Sequence, residues 1–278
     1  MPKEELDKSS LYSNPENSTH LTSKSDGSRW DDRTISSKYL DTIEPQSDSD
    51  VNRTKKLYHD PFFYSILPDL DGITALDLGS GNFYMSSELQ ASHPTSTFIA
   101  SDFPGMLAES LKRRNQVMSL VPEVYVLAAR ADDLPIESNS LDLVTSSLMM
   151  HWVLDAEKIA KEIHRTLKPG GTSVISLANP NFFKAGKFED MDTPDPRFIP
   201  SVDTTKSQQL EVYLGQTIGP VTYYLRPVEE YRRIYEACGF SSVELYEPVV
   251  SDPKVIMEND FMKKYKKHPL YLVIKATK

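Results

Sequence analysis

The sequence predicts an α/β protein built on a doubly wound, mostly parallel sheet, and three observations carry that prediction. From Ile73 onward, short apolar runs alternate with amphipathic segments, the pattern of repeated strand-helix units. A glycine turn, Gly79-Ser80-Gly81, follows the first of those runs at the point where a strand gives way to a helix. The last two strand candidates, 243–249 and 270–274, have no long helix between them, so they are expected to pair antiparallel.

Taken in order, residues 1–28 are rich in Ser, Asn, Asp, Glu and Lys with few apolar anchors, and are expected to form a disordered or loose tail. Across 29–70 the aromatics Trp30, Tyr39, Tyr58, Phe62, Phe63 and Tyr64 are scattered among charges, as in helices that lie over a core, and this stretch is read as an N-terminal helical cover. The main domain is placed at 71–278. Its expected strands are ITALDL (73–78), STFIAS (96–101), VYVLAA (124–129), LDLVTSS (141–147) and TSVISLA (172–178). Helical patterns fall at 85–90, 106–116 and 156–167, the last stopped by Lys168-Pro169-Gly170-Gly171. From 179 to 227 the rhythm is broken by many Pro, Asp and Lys residues, and about 180–226 is read as a lid insertion. A helix over 228–240, ended by Gly239, resumes the pattern.

Composition narrows the partners. With 31 Lys and Arg against 40 Asp and Glu, the net charge of −9 argues against a surface selected for phosphate backbones or anionic lipid. Neither nucleic acid nor membrane is an expected partner. The single cysteine, Cys238, excludes a disulfide framework and a cysteine metal site, and no cluster of His and acids marks any other metal. The first residues, MPKEELDKSS, are charged where a secretory signal needs an apolar run, and a soluble cytoplasmic protein is expected. The run Lys263-Lys264-Tyr265-Lys266-Lys267 is read as a solvated connection.

The strongest local signal is Leu76-Asp77-Leu78-Gly79-Ser80-Gly81 combined with Asp102 at the end of the second strand. Glycines let a ligand approach the backbone, and an acid on the neighbouring strand end can accept hydrogen bonds from both ribose hydroxyls. A dinucleotide fold would favour a third glycine, where this chain has Phe83. Asp77 sits where a ligand's positive charge is welcome, which favours the cationic S-adenosylmethionine (SAM) over NAD.

These residues resemble the class I SAM-dependent methyltransferase superfamily, in particular its small-molecule branch of the methyltransferase type 11 kind. The blocks ALDLGSG (75–81), SDFPGML (101–107), ADDLPIESNSLDLVTSSLMMHWVLD (131–155) and EIHRTLKPGGTSVIS (162–176) stand in the family's order. The resemblance implies a Rossmann-like seven-stranded sheet with an antiparallel last strand, and SAM as cofactor. It implies that Asp77, Gly79 and Gly81 line the methionine half, that Asp102 holds the ribose and that Phe103 lies beside the adenine. Ser80, Met106, Ala131 and Asp132 complete the implied cofactor set. Ser147, Leu148 and His151 would stand where donor and acceptor meet. Two positions depart from the family pattern: Phe83 replaces a glycine, and Arg130 stands where relatives carry the acid that binds the adenine amino group.

Methyl transfer from a sulfonium is an in-line displacement, so alignment and exclusion of water can supply most of the catalysis. A base is needed only where the acceptor must lose a proton, and His151 is the candidate for it. The alternative is that His151-Trp152 packs the loop after strand four. Tyr39, His151, Trp152, Asn179, Tyr223 and Tyr224 are the expected acceptor-binding residues, with Tyr213 and Arg226 in the same insertion. The function expected is methylation of a small-molecule acceptor at O, N or C. Protein methylation, or a binding or assembly factor that has lost methyl transfer, are the alternatives, and a nicotinamide oxidoreductase is disfavoured by the missing glycine.

Overall fold

A computed structural model describes residues 28–43, 50–117, 124–184, 203, 205–213, 220–250 and 268–278. Residues 1–27 of the predicted tail, the lysine run at 263–267 and the insertion's Gly215 and Gly219 lie outside these residues.

Seven strands form one sheet: β1 (Thr74–Leu78), β2 (Thr97–Asp102), β3 (Tyr125–Ala128), β4 (Leu141–Ser147), β5 (Leu167–Ala178), β8 (Ser242–Tyr246) and β9 (Tyr271–Thr277). Their order is β3-β2-β1-β4-β5-β9-β8. The first five run parallel, and β9 runs antiparallel to both β5 and β8. The chain starts in the middle of the sheet and winds outward in both directions, which opens a crevice between β1 and β4 at their carboxyl ends.

Alternation along each strand sends side chains to two cores. Leu76 and Leu78, with Ile99 and Val144, join Ile159 and Ile163 of α6 (Ala156–Thr166) and Tyr231 and Tyr235 of α8 (Val228–Ala237). Ala75, Phe98 and Leu143 face the other way, against Phe63 of α3 (Asp60–Ser65), Met85 and Leu89 of α4 (Tyr84–Ser92) and Leu107 of α5 (Pro104–Val117). Both faces are covered, which is why the strands read as nearly unbroken apolar runs. Asp77 shares the α4 face, so a carboxylate enters the interior there.

Helix boundaries follow local chemistry. Asp155 caps α6, its side chain accepting the Lys158 N–H at 3.0 Å. Gly239 turns the chain after α8 at φ +97°. Lys168-Pro169-Gly170-Gly171, expected only to stop a helix, instead lies within β5. Leu167 already pairs with Leu141, and the register shift before Thr172 leaves the glycines in a bulge with Gly170 at φ +80°.

Before the sheet come a short 3-10 turn (Ser28–Asp31), α1 (Arg33–Ile43), α2 (Asp50–Thr54) and a π-helical turn (Lys55–His59) that runs into α3. The first two dock on α5. Gly105 at the start of α5 donates to Asp31 Oδ1 at 2.7 Å, and a β-carbon there would stand 1.9 Å from the Asp31 carbonyl oxygen. Arg113 reaches back to the Ser37 carbonyl at 2.6 Å and to Asp41 at 2.8 Å. Within the predicted insertion, α7 (Pro180–Lys184) is followed by a separate hairpin of β6 (Gln208–Tyr213) and β7 (Pro220–Leu225). Among the described residues, no helix is long and apolar enough to cross a membrane.

Candidate functional site

A pocket lies across the carboxyl ends of β1 to β4, at the crevice the winding creates. Its floor is the turn after β1. Gly79 and Gly81 take φ of +70° and +56°, which glycine adopts without strain. The N–H groups of Gly79 and Ser80 donate to the Ser101 carbonyl at 2.8 and 3.0 Å, tying the turn to β2. Asp102 closes the junction: its Oδ2 accepts the Gly81 N–H at 2.9 Å and its Oδ1 the Phe103 N–H at 2.7 Å. The carboxylate is thereby fixed in orientation, and each oxygen keeps a lone pair for a ligand hydroxyl.

Burial raises both acids of the site. Asp77 is pushed up to about 7, although the Ser86 hydroxyl, 2.8 Å from its Oδ2, opposes the shift. Asp102 is pushed up to about 6 against its two backbone donors. Asp77 Oδ1, Ser80 Oγ and Ser147 Oγ are buried on the pocket wall without a hydrogen-bond partner. Orphaned polar atoms cluster where a polar ligand would satisfy them.

At the β3 end, Phe103, Arg130, Ala131 and Asp132 line the pocket. Arg130 binds Asp132 with two nitrogens at 2.8 and 3.0 Å, and its guanidinium lies 6.0 Å from the Phe103 ring centre. An acid thus stands two residues beyond Arg130 on the pocket wall, held by that arginine. Phe83 takes φ +61° and buries its ring in the core beside Met85 and Leu89, away from the pocket.

The opposite wall is aromatic and comes from distant segments. Trp30 lies 4.8 Å from Tyr39 and 5.0 Å from Trp152, and Trp152 lies 4.3 Å from Tyr223, all between ring centres. Trp30, Tyr39, Met106 and Trp152 line the pocket, and Tyr223 backs Trp152 from behind. Burial first, then the Asp102 charge, raises the Tyr39 phenol to about 12, so it is a neutral donor.

Of the sequence-predicted residues, the pocket brings together Tyr39, Asp77, Gly79, Ser80, Gly81, Asp102, Phe103, Met106, Ala131, Asp132, Ser147, Leu148 and Trp152. His151 is not on its wall. The imidazole is 4% exposed, and its Nδ1 accepts the Ala178 N–H at 3.2 Å, which leaves the proton on Nε2. Burial pushes it down to about 3. A general base needs a free lone pair within reach of the acceptor, and this ring has none. Its contacts with Trp152 and Tyr223 are those of packing. Asn179 also lies off the pocket, fully buried, with Nδ2 donating to Glu247 Oε1 and Oδ1 accepting the Asn181 N–H. Tyr224 pairs with Gln209 across the hairpin, on the opposite face from Tyr223.

Sequence reading missed Lys55 and Asp60, which join Asp77 at one end of the pocket and form an ion pair at 2.7 Å. Nothing in the run Lys55-Lys56-Leu57-Tyr58-His59 announces a π-helical turn, which widens the spacing and brings Lys55 to the site.

The family model described as a methyltransferase domain matches residues 76–175, the stretch that carries the glycine turn, Asp102 and the loop after β4. Over that stretch the chain is similar to the methyltransferase domain family, and its fold is like that of solved SAM-dependent methyltransferases. Over 132 residues it is 32% identical to a malonyl-[acyl-carrier protein] O-methyltransferase of Dechloromonas aromatica (strain RCB), covering 47% of this chain and 46% of that protein. Over 103 residues it is 37% identical to the Homo sapiens arginine-hydroxylase NDUFAF5, mitochondrial, covering 37% of this chain and 28% of that protein. The chain therefore matches less than half the length of either relative. A SAM-dependent methyltransferase from Mesorhizobium loti superposes with a TM-score of 0.64 over 78% of this chain and 96% of that one, at 22% identity, a likeness of fold. The orphaned oxygens, the open glycine turn and the doubly held Asp102 fit the ammonium and ribose groups that SAM carries.

Proposed function

We propose that this chain transfers a methyl group from SAM to a small-molecule acceptor. The observation that carries the reading is Asp102, fixed by the Gly81 and Phe103 N–H groups beside the glycine turn and facing into the pocket. In this reading Asp102 accepts the ribose hydroxyls, Phe103 and Ala131 flank the adenine, and Asp132 takes its amino group. Asp77, Ser80 and Ser147 receive the methionine end, where the Lys55 and Lys56 cations suit a carboxylate. When bound, the cofactor supplies an electrophilic methyl on a sulfonium.

The residues of this chain orient the acceptor and exclude water. Trp30, Tyr39, Met106 and Trp152 form an apolar wall, which favours a flat, largely uncharged acceptor over an extended polypeptide. The N-terminal helices and the β6–β7 hairpin act as the lid. With His151 buried and neutral, the acceptor atom must be nucleophilic without a base from that side chain. The chain is read as a soluble protein that needs no nucleic acid.

A second reading, a methyltransferase fold that does other chemistry or serves assembly, is favoured by the arginine-hydroxylase name of one relative. Calorimetric titration with SAM and S-adenosylhomocysteine, followed by acceptor screening with methyl-labelled SAM, separates the two. Micromolar binding of both ligands and label in a small product support the proposal. Binding without label transfer to any acceptor class favours the second reading, and no binding removes the first.

A further inference from the structure

Among the described residues, three besides glycine have a positive φ: Phe83, Asn139 and Leu148. Asn139 is of a type that tolerates the left-handed region, and Phe83 precedes α4 with its ring in the core. Leu148, at φ +62°, has neither excuse and stands on the pocket wall. A bulky residue keeps such a conformation only where its surroundings over-determine it.

We infer that Leu148 is held in this state by a relay that begins on the N-terminal helices, which makes His59 and Ser176 positioning residues for the pocket. The Leu148 N–H donates to the Ser176 hydroxyl at 3.2 Å as well as to the Ser176 carbonyl at 3.0 Å. Ser176 Oγ lies 2.7 Å from His59 Nε2, and His59 Nδ1 lies 2.7 Å from Asp60 Oδ1. An ionised carboxylate can only accept, so the His59 proton sits on Nδ1 and Nε2 accepts the Ser176 O–H. The hydroxyl's lone pairs are then free for Leu148. Every donor has an acceptor along the chain Leu148, Ser176, His59, Asp60, and burial keeps His59 neutral by lowering its pKa. His59 is 2% exposed and Ser176 is fully buried, so no water replaces a lost link. On its other side the Leu148 carbonyl accepts the Trp152 indole N–H at 3.0 Å. The residue is pinned at both its peptide groups, one through the helices before β1 and one through the aromatic wall.

For its effect on ligand affinity the inference rests on the cofactor reading above. The test is a double-substitution cycle of Ser176→Ala and Leu148→Gly on the full chain, because glycine adopts the left-handed region without being held. Ser176→Ala is expected to weaken S-adenosylhomocysteine binding about tenfold in the native background and less than about twofold beside Leu148→Gly, as loss of one buried hydrogen bond implies. The urea midpoint of the ligand-free protein should show the same non-additivity. Additive losses in both measurements overturn the relay. If the native protein binds no S-adenosylhomocysteine, the cofactor reading falls and the urea cycle alone decides the relay. Ser176→Thr keeps the hydroxyl and is expected to bind better than Ser176→Ala, whereas a purely packing role gives the reverse order. Should Ser176→Ala fail to fold, His59→Gln replaces it in the same cycle.

Discussion

The two walls of the pocket are built on opposite plans. The glycine-turn wall is made by residues within a few positions of the strand ends, held by backbone bonds such as Gly79 and Ser80 to Ser101 and Gly81 to Asp102. The aromatic wall is assembled from Trp30, Tyr39, Trp152 and Tyr223, side chains from three distant segments that meet through ring contacts. The first plan is held by backbone bonds, and in the proposed function it serves the cofactor. The second changes with any one of its parts, and in the proposed function it is the wall on which acceptor choice would vary while cofactor binding stays constant.

Substitutions that break the comparison should act strongly on one wall and weakly on the other. The largest effect is expected at Gly79. A β-carbon there stands 2.5 and 2.8 Å from Met149 Cγ and Cβ, and its φ of +70° adds strain. Gly79→Ala should cost about 3 kcal/mol in urea unfolding and remove measurable S-adenosylhomocysteine binding. Next comes Asp102→Ala, for which calorimetry should read a loss of roughly 3 kcal/mol, on the order of 100-fold in affinity.

The pH dependence sharpens the same point. Asp102 and Asp77 are raised to about 6 and about 7 in the free pocket. Raised carboxyls stabilise the ligand-free fold below their unfolded values, and that stability is lost as pH rises through 6 to 7. A ligand that favours the ionised forms releases protons on binding, so affinity should rise from pH 5.5 to 8 and then level off. A flat profile would contradict the assignment of these acids to the ligand.

The smallest effects on cofactor affinity belong to the aromatic wall and its supports. Arg226 donates to the carbonyls of Val153 and Leu154, clamping the hairpin to the loop behind Trp152. Arg226→Met should lower stability by about 2 kcal/mol through loss of its hydrogen bonds to these carbonyls. It should leave S-adenosylhomocysteine affinity within about threefold, since Arg226 donates to Val153 and Leu154 and not to Leu148 or the glycine turn. The chain's two tryptophans, Trp30 and Trp152, both line the pocket, so intrinsic fluorescence reports this wall and should shift in that variant.

The same contrast explains what the sequence revealed. The strands and the turn were legible because alternating apolar runs and glycines encode them locally, and the position of Asp102 beside that turn followed from its place at a strand end. His151 was misleading: the HWV block marks the right loop, but only the tertiary structure shows the Ala178 N–H occupying the ring's lone pair. Asn179 looked like a strand-end ligand, yet its amide is used by Glu247, a residue far along the chain. Lys55 and Asp60 were invisible because a π-helical turn leaves no periodic signature. Phe83 stood out in the sequence only as a departure from the family pattern, and its positive φ turns the ring into the core.

The central claim is that the locally encoded wall, through Asp102, binds the nucleoside of the cofactor. The direct measurement is calorimetric titration of S-adenosylhomocysteine into the native protein, Asp102→Ala and Arg226→Met at pH 6 and pH 8. The account predicts tighter native binding at pH 8, a loss on the order of 100-fold in Asp102→Ala with the pH dependence that remains carried by Asp77, and little change in Arg226→Met. Equal affinities in the native protein and Asp102→Ala would contradict it.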